Sequence, residues 1–202
     1  MMNQLYNVFL LCCLLAVSLS APVPFTPEVS QHLEHGKSLT NKLLSEIPTV
    51  HLSCVNNQAL SLDPSGEVKN LAYITAQLSI PPAPQLVPIS ESVETSLSRI
   101  SEGLQLHQGL LQELREKLKC SETLSSLLAD IRDLSSQVSK IQQLAGFPSS
   151  ETPSSSSSLS SRLTGDYEVQ VATHRVLQQL RSFGQDAFRV LRHIHTQGAR
   201  KH

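Results

Sequence analysis

The feature that most constrains this chain is one long apolar stripe between Val93 and Leu118. Its members recur at alternating intervals of four and three, with His107 taking one place in the series: Val93, Leu97, Ile100, Leu104, Leu111, Leu114 and Leu118. This period places the stripe on one face of an α-helix. A helix of about 26 residues is roughly 39 Å long, and its stripe needs partner helices of similar length to cover it.

Three other stretches carry a helical period, and strand signals are few, so the sequence predicts an all-α fold. In chain order, the predicted helices span residues of about 27–47, 91–118, 122–145 and 167–195. Thr26 is the predicted N-cap of the first helix, which Pro48 should end. The third helix should begin with Ser121 as its cap and end at Gly146.

The N-terminal residues predict a secretory signal peptide. The apolar run 8–17 is too short to span a bilayer, and Ser18 and Ser20 are small residues that suit a signal peptidase. A membrane anchor, the alternative, would need a longer run. We therefore predict that residues 1–20 are removed and that 21–202 form one secreted domain.

The lengths of the connections predict the topology. The second and third helices are joined by so short a turn that they must be antiparallel, whereas the other two connections exceed what a hairpin needs. About 20 extended residues cover some 65 Å, more than a bundle length of roughly 30 Å. The sequence therefore predicts an up-up-down-down four-helix bundle with two long crossovers. The second crossover contains a Ser-rich linker, 148–161, which is a candidate carrier of O-linked sugar.

Two cysteines, Cys54 and Cys120, remain after the predicted cleavage. The predicted topology places them at the same pole of the bundle, whereas a simple up-down bundle would separate them. An oxidising compartment then favours one disulfide, and two buried free thiols are the alternative.

Composition and motifs argue against several function classes. The net charge of -1 gives no electrostatic footprint for nucleic acid or for an anionic membrane surface. No nucleophile elbow, phosphate loop or metal motif is present, so we expect no enzyme activity, cofactor or metal. His193 and His195 diverge by about 200° on a helix and cannot share one metal ion. His107, inside the apolar stripe, is interpreted as a packed core residue.

Two polar stripes are candidate contact surfaces. Gln31 and Glu34 belong to a polar stripe on the first helix. Asp130 and Asp133 lie one turn apart on the far face of the third helix, and neither has a basic residue four positions on its C-terminal side. These acids are either a solubilising surface or a contact for a basic partner.

Several segments of the last three helices carry a family resemblance. They are Gly103–Leu114, Thr123–Leu134, Gln142–Gly146 and Phe188–Ile194. These segments resemble the granulocyte colony-stimulating factor family, which belongs to the long-chain helical cytokines with up-up-down-down bundles. In the first helix the likeness is confined to Leu33 and Glu34.

The resemblance implies a secreted growth factor. Such a factor binds and crosslinks a class I cytokine receptor ectodomain of the granulocyte colony-stimulating factor receptor type and drives granulocyte-lineage proliferation and differentiation. The resemblance assigns receptor contact to Glu34, Asp130 and Asp133, to which we add the neighbouring Gln31. It assigns a second contact to the first connection, where Glu67 is the nearest acid. The family's two short disulfides have no counterpart in this chain, and we expect a monomeric ligand.

Two alternatives fit the same pattern. One is another interleukin-6-like helical cytokine. The other is an exchangeable lipid-binding protein of the apolipoprotein type, since secreted amphipathic helices with few aromatic residues describe those proteins too. Apolipoproteins, however, carry denser charge on their polar faces and lack a disulfide that ties the ends of two helices.

Overall fold

A computed structural model describes residues 26–62, 71–87, 92–148 and 159–199, and within these ranges it contains helices and no strands. The helices are α1 (Pro27–Cys54), α2 (Leu71–Leu78), α3 (Val93–Arg115), α4 (Ser121–Leu144), α5 (Leu159–Arg162) and α6 (Asp166–Ala199). The prediction of an all-α fold is confirmed. The predicted signal peptide, Glu67 and most of the Ser-rich linker lie outside the described residues.

The ends of the long helices follow the predicted caps in part. The Thr26 side chain accepts a hydrogen bond from the Val29 backbone N–H at 3.3 Å, as expected for an N-cap. Gly146 ends α4 with a φ of 73°, a left-handed conformation that favours glycine. Ser121 is the first residue inside α4, so its prediction as the cap is wrong; the N-cap position belongs to Cys120.

Pro48 does not end α1, which continues to Cys54. A proline inside a helix removes one backbone hydrogen bond and costs about 3 kcal/mol. The added turns bury Val50, His51 and Cys54. Burial of this apolar surface, together with the covalent bond at Cys54, offsets the cost of the proline.

The apolar stripe of α3 is buried as its period predicts. Five of its members are at most 1% exposed: Leu97, Ile100, Leu104, Leu111 and Leu114. His107 fills its place in the stripe and is also buried. Buried residues of all six helices form a single hydrophobic cluster.

Contacts along α1 show that it runs antiparallel to α4. Near the start of α1, His32 contacts Gln137 in the second half of α4, with 2.6 Å between His32 Nδ1 and Gln137 Nε2. Near the end of α1, the Ser53 hydroxyl lies 3.2 Å from Thr123 Oγ1 at the start of α4.

α1 also runs antiparallel to α6. Ser30 Oγ lies 2.9 Å from His195 Nε2 near the end of α6, and His51 Nε2 lies 3.0 Å from His174 Nδ1 in its first half. α3 also packs on both α4 and α6. α1 therefore lies against α4 and α6 along most of its length.

Cys54 and Cys120 form the predicted disulfide, with their Cα atoms 5.3 Å apart. It joins the last residue of α1 to the turn between α3 and α4 and thereby holds the C-terminal ends of α1 and α3 at the same pole. A crosslink that closes a loop of 66 residues stabilises by about 4 kcal/mol on the chain-entropy model. These contacts are compatible with a four-helix bundle.

One close contact between α3 and α6 gives a test of this packing. A Cβ on Gly103 would lie 2.2 Å from Cζ of Phe183, whereas a Cβ on Gly109, in the same helix, would meet nothing within 4 Å. We expect Gly103→Ala to lower the free energy of unfolding by about 1–3 kcal/mol through overpacking. We expect Gly109→Ala to raise it by up to about 1 kcal/mol through helix propensity. Urea unfolding measures both, and a Gly103→Ala variant as stable as Gly109→Ala would contradict the packing of α3 on α6.

Candidate functional site

The outer surface of α1 carries the first two candidate residues. Gln31 and Glu34 are exposed, as their polar stripe predicts. Glu34 Oε1 accepts a hydrogen bond from Lys37 Nζ at 2.8 Å and lies 3.2 Å from Nδ1 of His195 on α6. The hydrogen bond from Lys37 lowers the pKa of Glu34, and the nearby charges of Lys37 and His195 lower it further. The Glu34 carboxylate is therefore ionised at neutral pH and held towards α6.

Asp130 does not lie on an exposed face. Its side chain is only 5% exposed, and its Oδ1 accepts a hydrogen bond of 2.5 Å from Lys42 Nζ on α1. This hydrogen bond raises the pKa of Lys42. The prediction that Asp130 is an exposed, unpaired acid is wrong because its cation comes from the neighbouring helix and not from α4 itself.

Glu46 joins Lys42 and Asp130 in a three-residue charged cluster at the α1–α4 contact. Glu46 Oε1 lies 3.7 Å from Lys42 Nζ. Burial raises the pKa of Glu46, and a hydrogen bond with Asp130 raises it further. Oδ2 of Asp130 is buried and has no hydrogen-bond partner among the described residues. The cluster fastens α1 to α4 and leaves the Lys42 side chain half exposed on the surface.

Asp133 lies at the exposed edge of the same contact. It is exposed, as predicted, and it follows Asp130 by one turn of α4. Gln137, one turn further on, is buried, and its amide donates to both Nδ1 and the backbone carbonyl of His32 on α1. Asp133 therefore remains as the accessible acid of the α4 stripe.

We use the term α1–α4 surface for the exposed side chains of Gln31, Glu34, Lys42 and Asp133. It presents two carboxylates, one fixed ammonium group and one amide. These groups can form charge-assisted hydrogen bonds with a partner protein. Whether they contact a receptor stays a prediction.

Several residues of this region were missed in the sequence. The Glu34–Lys37 pair has a spacing of three that is visible along the helix. The pairing of Lys42 with Asp130 and of His195 with Glu34 depends on how the helices are aligned. The spacing of residues within a single helix does not show which residues of two helices lie opposite each other.

His107 is packed in the core, as predicted. Its Nδ1–H donates to the Gly103 carbonyl at 2.6 Å, and its ring lies 5.4 Å from the ring of Phe183 between centroids. Burial lowers the pKa of His107 to about 4. Nε2 therefore carries no proton at neutral pH and has no hydrogen-bond partner among the described residues.

A cleft of about 610 Å³ lies at the C-terminal end of α1. Its wall contains Leu52, which is 77% exposed, together with His51 and Arg181. Arg181 is anchored weakly, with 3.4 Å between its Nη1 and the Leu62 carbonyl oxygen. The cleft is on the disulfide pole and does not include the α1–α4 surface.

The described parts of the chain contain no group of three or more His, Cys, Asp or Glu residues that could hold a metal ion. They also contain no helix whose length and apolar character would let it cross a membrane.

No protein-family model matches the chain, and no curated protein sequence matches it either.

The different environments of Asp130 and Asp133 on α4 can be tested by substituting each of them with alanine. Asp130→Ala leaves Lys42 without its buried partner, so we expect a lower midpoint of urea unfolding. Asp133→Ala alters an exposed side chain, and we expect the free energy of unfolding to change by no more than about 0.5 kcal/mol.

Circular dichroism during urea titration measures both variants. Equal stability of Asp130→Ala and the unaltered protein would show that Asp130 does not fasten α1 to α4.

Proposed function

We propose that this protein is a secreted helical cytokine. In this proposal the four long helices form an up-up-down-down bundle, and the α1–α4 surface binds a class I cytokine receptor ectodomain of the granulocyte colony-stimulating factor receptor type. The protein would crosslink receptor chains and drive granulocyte-lineage proliferation and differentiation. Another interleukin-6-like cytokine is the nearest alternative.

The observation that carries the proposal is the arrangement of α1. It is antiparallel to α4 and α6, and its C-terminal end is joined by the disulfide to the turn that follows α3. α1 and α3 therefore point in the same direction, as an up-up-down-down bundle requires. Such a bundle, with long crossovers, is typical of secreted helical cytokines.

The charges of the α1–α4 surface indicate what kind of partner it fits. Lys42 neutralises the buried Asp130 and Lys37 pairs with the exposed Glu34, so attraction to a basic receptor patch rests chiefly on Asp133, with a smaller share from Glu34. Exposed carboxylates of this kind accelerate association and set the binding register more than they add net affinity. The exposed ammonium of Lys42 would in turn require an acceptor on the receptor. This requirement would make the surface selective between basic patches.

The packing also favours a bundle over an apolipoprotein-like lipid binder. An exchangeable lipid-binding helix must turn its apolar face to lipid. Here the apolar faces of α1, α3, α4 and α6 are buried in one another, and the disulfide restricts how far α1 can separate from α4.

Charge reversal tests the receptor proposal. We expect Asp133→Lys combined with Glu34→Lys to slow association with the receptor ectodomain at least about tenfold at low salt and less at high salt. Glu94→Lys combined with Glu116→Lys is the matched control, because it makes the same change in net charge at two exposed acids, one in the first turn of α3 and one just after its end.

Surface plasmon resonance at several ionic strengths measures the association rates. Equal rates for this double variant and the Glu94→Lys, Glu116→Lys control would remove the α1–α4 surface from the binding site. Circular dichroism must first establish that both variants keep their helicity.

Thermal melting distinguishes the cytokine from the lipid-binding alternative. We expect one cooperative transition whose midpoint is the same with and without phospholipid vesicles, because the apolar faces are already covered. A midpoint or helix content that changes as vesicles are added would favour the lipid binder.

A further inference from the structure

Two histidines meet inside the contact between α1 and α6. His51 Nε2 lies 3.0 Å from His174 Nδ1, and the rings are arranged edge to face with centroids 5.2 Å apart. Both residues are buried, at 4% and 2% exposure. A bond between two ring nitrogens requires one donor and one acceptor, so it exists only while at least one ring is neutral.

The surroundings of the pair oppose a second proton. Arg175 is adjacent to His174 on α6, and Arg181, also on α6, lines the cleft that His51 lines. No carboxylate on the described parts of α1, α3, α4 or α6 is paired with either ring. Two charged rings would therefore repel each other, the charge of Arg175 would add to that repulsion, and no carboxylate of these described helices would balance them.

The cleft gives protons a route to the pair. His51 forms part of the wall of the cleft, which opens to solvent at the C-terminal end of α1. Protonation of His51 therefore does not require prior unfolding of the core, although the next proton would break the contact with His174.

We propose that the His51–His174 pair is an acid-sensitive contact that holds α1 against α6 at neutral pH and releases it in acid. This inference goes beyond the proposed receptor binding and does not depend on it. It concerns how firmly α1, whose outer surface carries Gln31 and Glu34, is attached to the rest of the protein.

The sign of the pH dependence follows from the pKa values. Burial lowers the pKa of His51, and burial together with the positive charges of His51 and Arg175 lowers the pKa of His174 to about 4. A histidine in the unfolded chain has a pKa of about 6.5. The contribution of the pair to stability is therefore complete above about pH 6.5 and is lost as the pH falls towards 4.

Other groups with shifted pKa values contribute to the same titration, chiefly His107 and Glu46. His107 acts in the same direction, since burial lowers its pKa to about 4. Glu46 acts in the opposite direction, because its pKa is raised and its folded form gains stability in acid. The pair must therefore be tested by variants that leave His107 and Glu46 unchanged.

The first experiment compares unfolding of the unaltered protein with that of His51→Gln combined with His174→Gln, which keeps polar side chains at both positions. The equilibrium constant for unfolding should rise between about pH 7.5 and pH 5 in both. The rise should be at least about 30-fold smaller in the double variant, which is the contribution of one histidine whose pKa moves from 6.5 to 4. His35→Gln, which changes an exposed histidine of α1, should behave like the unaltered protein. An equal rise in the double variant and the unaltered protein would overturn the proposal.

The second experiment needs no variant and applies if the double variant does not fold. Ring signals of the unaltered protein are followed by nuclear magnetic resonance during acidification. His174 should remain neutral at about pH 5.5, where an exposed histidine is largely charged. Amide exchange, corrected for its intrinsic pH dependence, should accelerate in α1 near His51 before it does in α3. An ordinary titration of both buried rings, or uniform acceleration in all helices, would overturn the proposal.

Discussion

The structure depends on the placement of α1 between α4 and α6. A single helix that faces two others along most of its length must bury a wide apolar strip, and Val29, Leu33, Leu43 and Ile47 supply it. The disulfide at Cys54 then prevents α1 from sliding along α4. Because α1 is fastened on both sides, its outer surface is presented as a rigid unit. A partner can bind it without first ordering it, which lowers the entropic cost of association.

The polar contacts at the edges of α1 specify its alignment more than they add stability. Towards α4 these contacts are the charged cluster of Lys42, Glu46 and Asp130; towards α6 they are the histidine pair. Each contact would leave a buried polar group without a partner if α1 shifted by one turn. The apolar strip alone would tolerate such a shift more easily, since leucine side chains repack.

Helical periodicity determines how much of this structure the sequence predicts. It reports which face of one helix is apolar, and the stripe of α3, the exposure of Glu34 and Asp133 and the core position of His107 were all predicted correctly.

Helical periodicity does not report which residue of a second helix lies opposite. Asp130 was therefore assigned to an exposed face, although it is buried and pairs with Lys42 on α1. Pro48 was expected to end α1 on local grounds, and tertiary burial of the following turns overrides that preference. The disulfide was predicted because it depends only on which pole each cysteine occupies.

We propose that α1, held in place by α4 and α6, presents a receptor-binding surface. Isothermal titration calorimetry of the unaltered, oxidised protein with class I cytokine receptor ectodomains, including the granulocyte colony-stimulating factor receptor type, measures this binding. We expect saturable binding to at least one ectodomain with a defined stoichiometry. A folded protein that binds none of these ectodomains would contradict the proposal.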